Sequence, residues 1–361
     1  LIRVNLDGVT YKNNTEYFVE ISARTKDNWG LLPKGFQVAH EQIKLSSKYE
    51  TAPVVNDNGL ALKIEKAEEN IIISNDIVKI VFNKNEGRLS SYIYKGNDLL
   101  KDGKGPKPNF WRAITDNDSG NKIYKNNIEW KKASLFSKVI SLTSNSIAEN
   151  LVELKVTYQL PGADTQFHSV YQINGNGVIH IENVLDKTSY KQDIPRIGIR
   201  MQLPKEYNKM TYFGRGPWEN YHDRNVSAFV DLYESSVSNQ YYPYIRPQEN
   251  GYKTDVRWVA LANNKGNGLL VVSKDKKGLG ICALHMPNED FDTAVGLDYG
   301  GQTRVEQEYR IDGIPEINVS KHTIDIKEQD LVQLNSHIYS YYLIPFENGN
   351  KELFISLSKR K

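Results

Sequence analysis

The sequence predicts an all-β chain built from antiparallel sheets. Three observations carry that expectation: stretches in which apolar and polar residues alternate with a period of two, Asn/Gly-rich turns between them, and no amphipathic helical pattern as long as a dozen residues. Many short strands with turn signals between them belong to sandwiches; a βαβ arrangement would alternate strands with helices.

In chain order, residues 16–23 and 40–45 read as two strands of a small separate sandwich. The stretch 49–57, with Pro53 near its centre, loses the alternation and reads as a linker. Residues 1–55 then form one unit, and residues 60–361 a second, much larger one. Within it, residues 77–82 and 89–94 form a strand pair across Asn83-Lys84-Asn85-Glu86-Gly87. Residues 152–160 alternate almost perfectly, as a strand with one buried face should. Residues 169–173 and 178–184 are joined by Asn174-Gly175-Asn176-Gly177, a hairpin signal. Residues 339–343 and 353–357 read as closing strands around Glu347-Asn348-Gly349-Asn350. The 22 tyrosines suit half-buried pleated surfaces.

Composition narrows the function classes. Of 361 residues, 39% are hydrophobic and 25% charged, as in ordinary globular proteins. Basic and acidic residues number 46 and 44, and a net charge of +2 shows no footprint for nucleic acid or an anionic membrane. No apolar run reaches membrane-spanning length, and no charged-then-apolar targeting pattern opens the chain. It begins at Leu1 rather than Met, which reads as a piece of a longer polypeptide. The single cysteine, Cys282, excludes an internal disulfide and a multi-thiolate metal site; its apolar neighbours predict a small buried core residue, and the compartment stays open. The seven histidines show no close pair at metal-ligand spacing, so no metal is expected.

Four segments concentrate polar and aromatic groups. Foremost is Gly214-Arg215-Gly216-Pro217-Trp218-Glu219-Asn220-Tyr221-His222-Asp223-Arg224, where two glycines and a proline fix an unusual backbone path. Such loops carry binding groups on a rigid scaffold; the plainer alternative is a surface turn whose charges pair with each other. The run Asp116-Asn117-Asp118 offers oxygen ligands, but without the glycine and distant glutamate of an EF-hand it reads instead as turn-forming, side-chain-to-backbone bonding. Residues 241–251, rich in Tyr, Arg, Gln and Glu, suit stacking and bidentate bonding to a sugar, or equally a domain interface. Leu297-Asp298-Tyr299-Gly300-Gly301 reads as an exposed turn. No phosphate cradle, nucleophile elbow or HExxH motif occurs.

Taken in order, these segments resemble the C-terminal part of a glycoside hydrolase family 2 β-galactosidase. Phe110 to Asp118 match that family's Phe/Trp-x-Arg-Ala-x-x-Asp-Asn-Asp segment. Gly214 to Arg224 match every fixed position of Gly-x-Gly-Pro-x-Glu-Asn-Tyr-x-Asp-Arg, and Pro247 to Gly251 match Pro-x-Glu-Asn-Gly. Upstream, residues 33–42 resemble the last strands of an immunoglobulin-like domain. The resemblance implies that residues 1–55 end such a sandwich. Residues from about 60 onward would be a terminal β-supersandwich, similar in fold to galactose mutarotases.

It further implies a parent that hydrolyses terminal β-galactosides by a retaining mechanism, with both catalytic glutamates on a preceding TIM barrel. Retention needs two carboxyl groups about 5 Å apart, so this chain would supply no catalytic residue and would not hydrolyse lactose alone. Its expected partners are a β-galactoside sugar, the parent's catalytic barrel and further copies in a homo-oligomer, with no nucleic acid, membrane, cofactor or metal. The substrate-binding candidates are Gly216 as a hinge, Trp218, Glu219, Asn220, Asp223 and Arg224, on a loop that would close over sugar and exclude water. Trp218 stands at a variable position of the motif, so no contact of its own is implied. One departure stands out: where the family often has a Gly-Gly-Asp-x-Ser-Trp platform loop, Leu331-Val332-Gln333-Leu334-Asn335 runs straight into Ser336.

Two rival readings remain at this point. One is a non-catalytic carbohydrate-binding or scaffold module. The other is a mutarotase-like epimerase, which would need a general acid and base facing one cavity; His168, His180 and His285 are its candidates.

Overall fold

Period-two patterning becomes three antiparallel sheets and a hairpin in the computed structural model, which describes residues 3, 5–12, 15–45, 59–244, 246–274, 278–287, 289–290, 316–322 and 336–347. The largest sheet has nine strands, in the spatial order Phe229–Ser236, Lys209–Gly216, Trp258–Ala262, Gly268–Ser273, Ser336–Phe346, Ile179–Asp186, Thr165–Asn174, Leu151–Leu160 and Lys138–Ala148. A second sheet orders Lys253–Val256, Leu279–Leu284, Glu316–His322, Ile197–Gln202 and Lys107–Asn109. The third is a meander from Lys63–Lys66 through Asn70–Ser74, Val78–Asn83 and Arg88–Tyr94 to Asn97–Asp98.

Burial follows the alternation. In Leu151–Leu160 the residues Val152, Leu154, Val156, Tyr158 and Leu160 are buried, while their neighbours face outward. They join one core that draws Ile73 and Phe82 from the meander and Ile199 and Ile281 from the five-stranded sheet beside it. That shared core makes the nine-stranded sheet one layer of a sandwich. At the other end of the same sheet, Trp258–Ala262 and Gly268–Ser273 are buried almost throughout, because apolar groups also pack on the opposite face. Phe18 of the N-terminal hairpin lies against that second cluster.

Turn chemistry sets the registers. Asn174 Oδ1 accepts from the backbone N–H of Asn176 and Val178, both at 3.0 Å, and Gly177 takes a φ of 83° that a side chain would oppose. Asn83 Oδ1 serves Asn85 and Glu86 in the same way. The strands at 16–23 and 40–45 appear as Tyr17–Arg24 paired with Gln37–Leu45. This hairpin is tied to the large sheet: Gln42 bonds both the N–H and the C=O of Val230, and Arg257 pairs with Glu16 at 3.0 Å. Cys282 is buried, as its apolar setting predicts. The expected linker at 49–57, the turn at 297–301, the segment 331–335 and the strand at 353–357 lie outside the described residues.

The described helices are short, the longest being Ile128–Phe136 with 9 residues. Asp116–Gly120 contains the Asp-Asn-Asp run, and of its two acids Asp118 bonds the backbone: Thr115 Oγ1 accepts from Asp118 N–H while Asp118 accepts from Thr115 N–H, each at 3.1 Å; Asp116 pairs with side chains instead.

Candidate functional site

Strand Lys209–Gly216 delivers the eleven-residue loop. The two motif glycines sit where backbone and rings leave no room for a Cβ. At Gly214 a Cβ would come within 2.8 Å of Val256 Cα, and at Gly216 within 2.2 Å of Tyr212 Oη and 2.9 Å of the Tyr233 ring. Gly216 closes the strand opposite Phe229 and leads through a cis peptide bond to Pro217. Arg215 holds the loop's two ends together: its guanidinium pairs with Asp255 at 2.6 Å and donates to the carbonyls of Asn225 (3.0 Å) and Ala228 (2.8 Å).

The six candidate residues divide by orientation. Asn220 is fully buried and spends its whole amide on the fold. Its Nδ2 donates to the carbonyls of Arg215 and Trp218, at 3.2 and 3.1 Å, and its Oδ1 accepts from Thr254 N–H and Oγ1, at 3.0 and 2.5 Å. Glu219 is also buried; it accepts from the hydroxyls of Tyr244 and Tyr221 and from Gly251 N–H at 3.1 Å. Trp218 is 49% exposed, and Asp223 and Arg224 face solvent. Arg224 stacks over the Tyr221 ring at 5.6 Å, within a turn closed by paired backbone bonds between those two residues. Three groups thus hold the loop's shape and three project outward.

Three segments far apart in sequence meet beneath this loop. Glu219 reaches Tyr244 and Gly251 of the 241–251 segment. From the same segment Glu249 bridges two guanidiniums, Arg112 at 3.2 Å and Arg196 at 2.6 Å. Arg112 in turn grips Asp118 with two bonds of 2.7 and 3.0 Å. Asp116 binds Arg246 and Gln248, at 2.5 and 2.9 Å. The part of this network around Glu249, with Arg112, Asp118 and Arg196, is shielded from water, while Asp116 lies at its exposed edge. Burial, then the bond to Glu219, pushes the Tyr244 hydroxyl up to about 12. Burial pulls the Lys253 ammonium down to about 8, with Cys282 and Glu219 opposing that shift.

Two members of this network carry no motif signal. Arg196 is 2% exposed, with Tyr252 stacked at 5.8 Å, and its Nε and Nη1 lack a hydrogen-bond partner. Lys253 is equally buried and donates to Gly251 O at 3.2 Å. Buried cations are rare enough that an isolated Arg or Lys in a sequence reads as exposed.

The three histidines do not share a cavity. His168 bonds Thr157 and Asp186 across neighbouring strands, at 3.0 and 2.8 Å; His180 stacks on Tyr342; His285 meets Ser238 and Asn208. Among the described residues no cluster of three or more His, Cys, Asp or Glu side chains could hold a metal ion, and no helix is long and apolar enough to cross a membrane.

Fold and site together define an all-β sandwich domain whose signature loop is braced by an internal charge network. Residues 74–336 match the family model described as beta galactosidase small chain, and the chain belongs to that family. It is 34% identical over 261 residues to a β-galactosidase of Priestia megaterium, covering 72% of this chain and 25% of that protein. To a β-galactosidase of Streptococcus thermophilus it is 27% identical over 269 residues, covering 74% and 26%. The chain therefore spans about a quarter of the length of these relatives. Among solved structures, galactose 1-epimerase from Lactobacillus acidophilus aligns with a TM-score of 0.45 at 12% identity, over 80% of this chain and 100% of that one; a likeness so distant carries no argument about activity.

Proposed function

We propose that this chain is the C-terminal segment of a glycoside hydrolase that cleaves terminal β-galactosides with retention, and that it supplies one wall of the sugar pocket. Residues 1–55 would end an immunoglobulin-like sandwich, residues 60–361 would be the terminal supersandwich, and a catalytic barrel elsewhere in the parent would hold both reacting carboxylates. The observation that carries this reading is the loop's division of labour. Glu219 and Asn220 anchor it inward, which leaves Trp218, Asp223 and Arg224 exposed on the same loop. An aromatic face, a carboxylate and a guanidinium are the group types that contact sugars.

The chain alone should release no nitrophenol from a nitrophenyl β-galactoside. Grafted in place of the matching segment of the Priestia megaterium relative, it should support turnover, and Trp218→Ala or Arg224→Ala in that graft should raise KM about tenfold, the loss of one stacking or charged contact. Unchanged KM in both variants would remove the loop from the sugar site.

A further inference from the structure

A concavity lined by no residue of the signature loop lies between the meander and the five-stranded sheet. It encloses about 290 Å³. Four cationic side chains line it: Arg88 from the meander, Lys104 from the following loop, and Lys107 and Arg200 from adjacent strands of the five-stranded sheet. We propose that this pocket binds a small multivalent oxyanion, a phosphate group either free or carried on a sugar.

The register makes the case. Arg200 and Lys107 stand directly opposite each other on paired strands. Like charges in that position repel, so the arrangement needs counter-charge to be tolerated. The lining supplies one carboxylate, Glu289, and both its oxygens are engaged by Arg200 Nη1 at 2.7 Å. Glu86 pairs with Arg88. Lys107 and Lys104 are left to be neutralised: Lys107 Nζ donates to the neutral carbonyl of Leu135 at 3.1 Å, and Lys104 forms no ion pair among the described residues. Burial first, then the charges of Arg200 and Arg88, pulls the Lys107 ammonium down to about 8, with Glu86 and Glu289 opposing that shift.

The pocket is also preformed. Its loop is stitched to both flanking strands: Gly105 N–H donates to Leu89 O at 3.0 Å, Gln202 N–H to Lys104 O at 2.9 Å, and Lys101 N–H to Gln202 O at 2.9 Å. Gly105 lies so close to the meander that a Cβ there would meet Leu89 O at 2.4 Å. The volume is near the lower end of the roughly 300–1,000 Å³ typical of small-molecule sites. It admits an oxyanion with its waters or a monosaccharide phosphate.

Calorimetric titration of inorganic phosphate and of glucose 6-phosphate into the 361-residue chain at low ionic strength tests this, with glucose as the uncharged control. Saturable binding of either phosphate is expected, with glucose silent; equal affinities assign the site to free phosphate, and tighter binding of the ester assigns it to a sugar phosphate. Lys107→Met and Arg88→Gln should each weaken binding about tenfold or more, the loss of one charged contact. Lys107→Met removes a half-buried charge and should keep the fold, as read by circular dichroism, and Lys107→Arg should retain binding. The proposal is overturned if neither phosphate binds, if both variants bind as the wild type does, or if Lys34→Gln, remote from the pocket, weakens binding equally.

Discussion

Asn220→Ala removes the central staple of the signature loop. The side chain makes four hydrogen bonds and is fully buried, and water cannot replace the two that it accepts from Thr254. Its loss orphans two carbonyls and one backbone N–H, while the Thr254 hydroxyl can turn to another acceptor. An unsatisfied buried group costs about 1–3 kcal/mol, and carbonyls tolerate the loss better than N–H groups do, so the sum is roughly 3–5 kcal/mol. That is a large fraction of the about 5–15 kcal/mol that holds a domain folded. Urea unfolding followed by circular dichroism should show the midpoint falling with the slope unchanged. Asn220→Asp keeps the acceptor that serves Thr254 but turns the two carbonyl contacts repulsive, so it should be destabilised as well. A loss below about 1 kcal/mol for Asn220→Ala would refute the claim that this amide holds the loop.

Further outcomes follow from the same network and its neighbours. Glu249→Ala should cost about 3–5 kcal/mol because it leaves the buried Arg196 without its counter-ion, while Arg112 keeps Asp118; Arg196→Met should cost much less, since it also removes two unpartnered N–H groups, and paired denaturation curves give the ranking. Gly216→Ala should destabilise by about 1–3 kcal/mol in the same assay, because Tyr212 and Tyr233 crowd the new methyl group. The Lys253 and Lys107 ammoniums titrate near 8 in the folded chain against an ordinary 10.5, so above 8 the unfolded chain holds more protons and stability rises with pH toward 10. Each contributes at most about 1.4 kcal/mol per pH unit, and Lys253→Met should flatten its share of that rise in pH-dependent melting. Cys282 should react with an aromatic disulfide reagent only as fast as the chain opens, because its thiol is buried and donates to Asn250 O at 3.1 Å.

Local patterns were legible in the sequence because their causes are local. Alternation in Leu151–Leu160 reports a sheet with one wet face, and Asn174 to Gly177 encode their own turn through an Asn side chain and a left-handed glycine. The loop from Gly214 to Arg224 could be picked out as a motif, and Cys282 placed in the core by its neighbours. The strand order could not be read. Ser336–Phe346 lies between Gly268–Ser273 and Ile179–Asp186, a placement set by which apolar faces meet after collapse.

By itself, then, the sequence determined the all-β class, the main hairpins and the identity of the signature segments, all properties of residues a few positions apart. Only the tertiary structure decided what the charged residues do. Glu219 faces inward to Tyr244 and Gly251, Glu249 spans Arg112 and Arg196, and Lys107 stands opposite Arg200. The partners in these contacts are tens to more than a hundred residues apart. A charge becomes structural or available according to its burial and its counter-ion, and both are set by segments the chain brings together only on folding.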